Sequence, residues 1–372
     1  MYHEEEQTMK ILITGNMGYI GPCLVKHLRR TCAAATLIGV DIGYFAHCLT
    51  SNDMFPECRV DMQYFADIRK LDPAILKGVD SVVHLAAISN DPMGNTFEKI
   101  TYDINYHASV AFARKAKAAG VQSFVYASSC SMYGFAEDGA KTEKSTLNPL
   151  TAYAKSKVLT EQGIEKLADE NFKVTSLRFS TACGMSDRLR LDLVLNDFVA
   201  GAAVSNKITI LSDGTPWRPL INVKDMARAI EWAIRRDHTD GGDFLAVNIG
   251  SDAWNYQVKD LAAAVAKVIP GVDISINRDA QPDKRSYKVS FDLFKKLAPD
   301  YQPEADLLST IEELKAGIDI MKFNDSDFRN SRYMRLKVLT HLTGSGLLNE
   351  SLEWTDQAAE PLSPPVSAGI GA

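Results

Sequence analysis

Lys10-Ile11-Leu12-Ile13-Thr14 runs without a break into Gly15-Asn16-Met17-Gly18-Tyr19-Ile20-Gly21. The first five residues are a short apolar, β-branched run, the pattern of a strand buried on both faces. A helical pattern from Ile20 to Arg30 comes next, so the glycines occupy a strand-to-helix turn. Glycine lets the backbone turn tightly there and approach a pyrophosphate, which then rests on the positive N-terminal end of the helix. The spacing, G-x-x-G-x-x-G, is one residue wider than the dehydrogenase form G-x-G-x-x-G. Gly15, Met17, Gly18, Tyr19, Ile20 and Gly21 are therefore candidate dinucleotide-binding residues.

Outward from this unit, short β-branched runs alternate with longer helical patterns. Strands are expected at Lys10–Thr14, Thr36–Val40, Val60–Phe65, Ser81–Leu85, Gln122–Ala127, Lys173–Arg178 and Leu245–Ile249. Helices are expected at Ile20–Arg30, Thr101–Ala119, Ala152–Asp169 and Val223–Arg235. That alternation predicts an α/β fold, a doubly wound parallel sheet with ligands at the carboxyl ends of its strands. After Gly184 the alternation stops. Residues 185–220 and 251–355 mix short helices with Pro- and Asp-rich loops and read as a smaller mixed α/β substrate lobe, while 221–250 returns to the 10–184 domain. Residues 1–9 read as a flexible start and 356–372 as a disordered tail. The sequence carries no internal repeat.

With 372 residues, the chain is long enough for two lobes around a large core. A formal charge of -6 argues against life on nucleic acid or an anionic membrane. No apolar run reaches the ~18 residues of a membrane span, and the acidic amino terminus does not read as a secretory signal. The six cysteines form no C-x-x-C pair and no zinc-spaced set, so a reducing cytoplasm is expected and no metal site.

Asp41 ends the second strand about twenty residues after the last glycine, where a carboxylate binds adenosine ribose hydroxyls. An acid there repels a 2′-phosphate, so NAD(H) is expected rather than NADP(H). Ile42 beside it, Asp67-Ile68 after the third strand and Leu85-Ala86-Ala87 after the fourth are expected along the adenosine and the centre of the cofactor. Further on, Tyr153 and Lys157 stand four apart in a helical pattern and share one face. An ammonium held near a phenol stabilises the phenolate, so Tyr153 is expected to titrate below its ordinary value near ~10 and act as general base for a sugar or alcohol hydroxyl. The hydroxyl-rich loop Ser128-Ser129-Cys130-Ser131-Met132-Tyr133-Gly134 precedes it.

Thr14–Gly21, the acid Asp41, Ala66–Ile68, His84–Ala87, the helix carrying Asn105, Ser128–Gly134, Tyr153–Lys157 and Leu177–Gly184 occur in this order. Together they resemble the extended short-chain dehydrogenase/reductase family with its Rossmann-type fold, specifically the nucleotide-sugar epimerases and dehydratases. The resemblance runs from Lys10 to about Leu297. It implies a catalytic set of Ser129, Tyr153 and Lys157 with Asn105 in support, and Asn105, Ser128, Tyr153 and Lys157 on the NAD cofactor. It implies a nucleoside diphosphate sugar as substrate, with Ser129, Cys130, Ser131 and Thr181 near the sugar. Asn196, Arg218 and Arg285 match the amide and the two arginines that hold the diphosphate, where guanidinium forks suit phosphate oxygens. Arg188 and Arg190 are candidates for the rim only. A homodimer through the helices Thr101–Ala119 and Ala152–Asp169 also follows from the resemblance alone.

The residues after Ser129 bear on the reaction. The family's 4,6-dehydratases carry an Asp-Glu pair there, and this chain has Cys130-Ser131. A 4-epimerase working through a transient 4-keto sugar needs only the residues present. A 4-ketoreductase consuming NADH or NADPH would use the same set, and a dinucleotide-binding regulator without turnover remains a reading of a different class. Cys130 reads more readily as a small buried hydrophobe than as the acid or base of a 3,5-epimerisation. Ser180-Thr181 stands where many members have an aromatic residue and asparagine, which points to an unusual hexose or deoxysugar.

Overall fold

The computed structural model describes residues 9–51, 54–277, 280 and 285–356. The flexible start and the tail expected from sequence lie, apart from Met9 and Asp356, outside the described residues.

Seven parallel strands form one sheet: β1 (Lys10–Thr14), β2 (Thr36–Asp41), β3 (Met62–Phe65), β4 (Ser81–His84), β5 (Ser123–Ser129), β6 (Lys173–Phe179) and β7 (Phe244–Ile249). Their order is β3-β2-β1-β4-β5-β6-β7, and each strand lies within two residues of its expected bounds. Ile11, Leu12, Ile13, Val82 and Val83 are fully buried, as a sheet covered on both faces requires. The order reverses between β1 and β4, and the crevice at that reversal is where α/β sheets bind ligands. The glycine turn and Leu85-Ala86-Ala87 leave the sheet on its two sides.

Helix Ile20–Thr31 follows the glycine turn and ends on Arg29 and Arg30, cations at the negative end of its dipole. The expected helix at Thr101–Ala119 is instead two α-helical pieces, Glu98–Tyr102 and Ser109–Ala118, joined through a π-helical turn at Asp103–Ala108. A π turn adds a residue without disturbing the apolar stripe much, so periodicity does not reveal it. Helices Ala152–Glu165 and Val223–Arg235 complete the sheet's cover.

The second lobe holds helices Val194–Ser205, Val258–Val268 and Leu307–Ile320. Strand Trp217–Asn222 pairs with Asn255–Gln257 and with Thr181–Cys183, and Phe135–Lys141 crosses over to pair with Ser286–Val289. One apolar cluster runs from Ile11, Ile13 and Leu177 in the sheet to Leu195, Leu261 and Leu314 in the lobe.

The carboxyl-terminal stretch departs from its expected place in the substrate lobe. Helix Arg335–Gly344 and the loop after it pack Val338, Leu339, Leu348 and Leu352 against Tyr44, Ile68, Ile88 and Ile104 of the dinucleotide half. Tyr44 donates its hydroxyl to the Leu352 carbonyl, and Trp354 Nε1 donates to the Ile42 carbonyl at 2.7 Å. Apolar surface that β2 and the π turn leave uncovered is buried this way.

Candidate active site

A cavity of roughly 660 Å³ opens at the carboxyl ends of the strands, between the sheet and the second lobe. Gly15, at φ +72°, forms its floor, and a side chain there would stand 2.6 Å from the Ala86 nitrogen. Gly18 N donates to the Gly15 carbonyl at 3.1 Å, closing the turn. A Cβ on Gly21 would meet the Asn16 carbonyl oxygen at 2.0 Å, so the helix start lies directly against the turn. This cradle, open only because the glycines lack side chains, at the start of a twelve-residue helix, fits a dinucleotide pyrophosphate.

Gly15, Gly18, Tyr19, Ile20, Asp41, Ile42, Asp67, Ile68, Leu85, Ala86, Ala87 and Ser128 all line this cavity. Met17 and Gly21 shape the turn without facing it. Asp41 accepts from Met17 N at 3.0 Å and Gly43 N at 2.7 Å, so the acid also fixes the glycine turn. Burial pushes its carboxyl up, against those two backbone donors. Asp67 is gripped by the Arg69 guanidinium, with Nε at 2.8 Å.

Asn105 does not stand on the cofactor or in the catalytic set as expected. Its Oδ1 accepts from Ile88 N at 2.8 Å, and its Nδ2 donates to the Ile88 carbonyl at 2.9 Å and to Ser156 Oγ at 3.1 Å. With its amide spent on those partners and only 1% exposed, it does not reach the cavity. It pins the loop after β4 to the Ala152–Glu165 helix and is a positioning residue. The π turn that carries it turns its amide toward that loop.

Ser129, Tyr153 and Lys157 do meet on the cavity wall. The Ser129 hydroxyl faces that of Tyr153 and favours its phenolate, and Ser129 Oγ accepts from Ser131 N at 3.2 Å. Lys157 Nζ donates to the Ala127 carbonyl at 2.6 Å and lies 4.7 Å from the Tyr126 ring centre and 5.7 Å from that of Tyr153. The expected fall in the Tyr153 pKa is not found. Burial pushes this phenol up to about 12, with Asp91 adding to the rise and Ser129 and Arg190 opposing it. The same burial holds the Lys157 ammonium down to about 7, so the cation that was to stabilise the phenolate is itself disfavoured.

That shift has a stability consequence. Between about 7 and the ordinary 10.5, the unfolded chain keeps the Lys157 proton that the folded chain has released. Stability therefore rises with pH across this window and is lost as pH falls through 7. Lys173, held down to about 8 by burial, acts in the same direction. The denaturant midpoint of the ligand-free protein is expected to climb from pH 7 to about 10, and Lys157→Met to flatten that climb. An unchanged slope in the variant removes Lys157 as its source.

Beneath the serine loop lies a polar network that sequence reasoning missed. Glu161, one helical turn beyond Lys157, accepts from Ser128 Oγ at 3.1 Å and Ser176 Oγ at 2.8 Å, and pairs with the buried Arg178 guanidinium. Arg178 reaches on to the Tyr133 hydroxyl at 3.1 Å, which donates to Asn248 Oδ1 at 2.7 Å. The i, i+4 spacing of Lys157 and Glu161 was the available signal, but it does not tell a buried pairing from an exposed one.

On the second-lobe side, Ser131, Thr181, Arg218 and Arg285 line the cavity. Arg285 pairs with Asp91 at 2.8 Å, and Arg218 Nη1 donates to the Trp217 carbonyl at 2.9 Å. Cys130 does not line it. It is fully buried with Tyr133, Tyr287 and Phe291, donates its thiol to the Arg178 carbonyl at 3.0 Å, and is held protonated by burial. Asn196 is also turned away, accepting from Gly184 N at 3.0 Å and donating to the Arg190 carbonyl at 2.9 Å. Helix Val194–Ser205 aims that amide at the Gly184 turn, so it braces the loop and leaves the diphosphate to the arginines. Arg188 is fully buried on Glu57, away from any rim. Arg190 does line the cavity, paired with Asp192 at 2.9 Å and bonded to Ser89 Oγ at 3.0 Å. Asn90, in the same wall, holds φ at 110°, a strained value for a side-chain-bearing residue.

The sequence profile of the NAD dependent epimerase/dehydratase family matches residues 11–250. A Bacillus subtilis protein described as an uncharacterized UDP-glucose epimerase, YtcB, is 30% identical over 255 residues, which cover 65% of this chain and 77% of that one. The UDP-glucose 4-epimerase of Lactobacillus helveticus is 27% identical over 287 residues, covering 72% and 83%. Among solved structures, a UDP-glucose-4-epimerase from Stenotrophomonas maltophila with bound NAD and formylated UDP-arabinopyranose superposes with a TM-score of 0.72 at 21% identity, over 84% of this chain and 99% of that one. The glycine cradle, the acid after β2 and the tyrosine–lysine helix lie within the matched span, and the chain is a member of the NAD dependent epimerase/dehydratase family, of the extended short-chain dehydrogenase/reductase type.

Proposed function

We propose that the protein is a nucleotide-sugar 4-epimerase that works through a transient 4-keto sugar. The observation that carries this reading is the Tyr153–Ser129 hydroxyl pair on the cavity wall, backed by Lys157, with no carboxylate on the loop after Ser129. When bound, NAD supplies an oxidised, positively charged ring that takes up a hydrogen with its electron pair. Tyr153 takes the proton from the sugar C4 hydroxyl, and Ser129 holds that oxygen by a hydrogen bond. The positive charge of the cofactor and of Lys157 offsets the burial that keeps the phenol protonated in the ligand-free protein. After the keto sugar rotates, the hydride would return from the cofactor to the opposite face of C4, and Tyr153 gives the proton back to the C4 oxygen. Arg218 and Arg285 hold the diphosphate while the sugar rotates.

A dehydratase needs a further acid and base beside the serine, and Cys130 faces the core. A 4-ketoreductase remains the second reading, because Ser129, Tyr153 and Lys157 serve it equally well. The Lactobacillus helveticus relative makes a UDP-hexose the first substrate to test. The purified protein, given UDP-glucose without added NADH, is expected to yield a product of unchanged mass that NMR identifies as the C4 epimer. A product lighter by one water would mean a dehydratase, and stoichiometric loss of added NADH a ketoreductase. NAD binding with no sugar conversion across UDP-, dTDP-, GDP- and CDP-hexoses would favour the regulator.

A further inference from the structure

Three guanidiniums come together behind Ser89: Arg190 and Arg335 line the cavity, and Arg188 is buried beside them. Arg188 is matched by Glu57, with bonds of 2.6 and 2.9 Å, and Arg190 by Asp192, with bonds of 2.9 and 3.1 Å. Arg335 has no carboxylate partner among the described residues, and it is only 1% exposed. Its Nη2 donates to the Arg188 carbonyl at 2.9 Å, its guanidinium lies 4.6 Å from the Phe45 ring centre, and its Nη1 has no hydrogen-bond partner. The adjacent Cys48 thiol, kept protonated by burial, offers no countercharge. Glu57 and Asp192 are bonded to the other two guanidiniums and Asp41 also acts on Arg188, which leaves Arg335 the one guanidinium of the three with no carboxylate bonded to it among the described residues.

A buried cation without a counterion is unfavourable in the ligand-free protein. It becomes favourable when an anion enters beside it, and Arg335 lines the cavity that holds the cofactor. The anion's source follows from where Arg335 comes from. It opens helix Arg335–Gly344, which packs on Tyr44, Ile88 and Ile104 of the dinucleotide half. Arg218 and Arg285 come instead from the second lobe, on the strand Trp217–Asn222 and just before Ser286–Val289. The geometry points to Arg335 as a diphosphate-binding residue for the dinucleotide, supplied by a carboxyl-terminal segment that lies beyond the residues the family profile covers. It completes from the far end of the chain a phosphate site whose glycine turn lies at the near end.

Arg335→Met keeps the stem and removes the charge, and Arg335→Lys keeps the charge and loses the fork. Isothermal titration of the ligand-free full chain with NAD, and separately with UDP, tests the assignment. Arg335→Met is expected to weaken NAD by about tenfold or more, with Arg335→Lys between it and the wild type. UDP affinity is expected to stay within about twofold, and the melting temperature of the ligand-free Arg335→Met protein to equal or exceed that of the wild type. NAD affinity within about twofold of wild type in the Met variant overturns the proposal. A loss of UDP affinity equal to or larger than that of NAD overturns it in favour of the sugar nucleotide's diphosphate. A lower ligand-free melting temperature in both variants, with NAD weakened equally in the two, overturns it in favour of a structural arginine.

Discussion

Tyr153→Phe is expected to lower kcat by about 10²–10⁴-fold while NAD stays bound, because the change removes only the oxygen that moves a proton. Gly94 lies against the Tyr153 Cβ and backbone, where an added Cβ would come within 3.0 Å, and phenylalanine leaves those atoms in place, so the helix start keeps its packing. Lys157 keeps its bond to the Ala127 carbonyl, and the glycine cradle is untouched. The loss should therefore fall on turnover, with KM and the dissociation constant for NAD moved little. Bound NAD read by absorbance, together with product formation read by NMR, separates the two. Turnover within about threefold of the wild type would remove Tyr153 from the chemistry and require another proton acceptor.

Glu161→Ala is expected to cost about 3–5 kcal/mol of stability. The carboxylate is 5% exposed and is the only acid paired with Arg178 among the described residues. Without it, a buried guanidinium loses its counterion and Ser128 and Ser176 lose their shared acceptor. Glu161→Gln keeps an acceptor but not the charge, and should fall between the alanine variant and the wild type. Urea unfolding gives the difference directly. A loss under about 1 kcal/mol in the alanine variant would mean that water or another acid reaches Arg178 once Glu161 is gone.

The sheet was legible because its signal repeats. Seven short apolar runs, each followed by a turn and most by a helix, fix both the class and the place of the cavity, and local pattern suffices for that. The glycine turn was legible for the same reason, since a Cβ at Gly15 or Gly21 has nowhere to go. What sequence spacing does not carry is the direction in which a side chain points. Cys130 and Ser131 are neighbours in a hydroxyl-rich loop, yet the short helical turn at Cys130–Tyr133 sends the thiol into the core and leaves Ser131 on the cavity. Asn196 has the residue type that suits a phosphate, but its helix faces the Gly184 turn. The Tyr153 pKa went astray because helix spacing gives the nearness of Lys157 and says nothing of how dry the pair is. Arg335 was out of reach for another reason: it joins the site through contacts nearly three hundred residues away in sequence, from Phe45 to the carboxyl-terminal helix.

The apolar cluster that runs unbroken from Ile13 through Leu177 and Leu195 to Leu314 bears on how this enzyme can move. A hinge needs a seam that few greasy side chains cross, and this cluster crosses the boundary between the halves. The halves should therefore melt together in a single cooperative transition, and a fragment ending at Gly184 would bare Leu177 and Phe179 to water and aggregate. Sugar nucleotides would have to enter past rearranging loops at the rim, between walls that hold still.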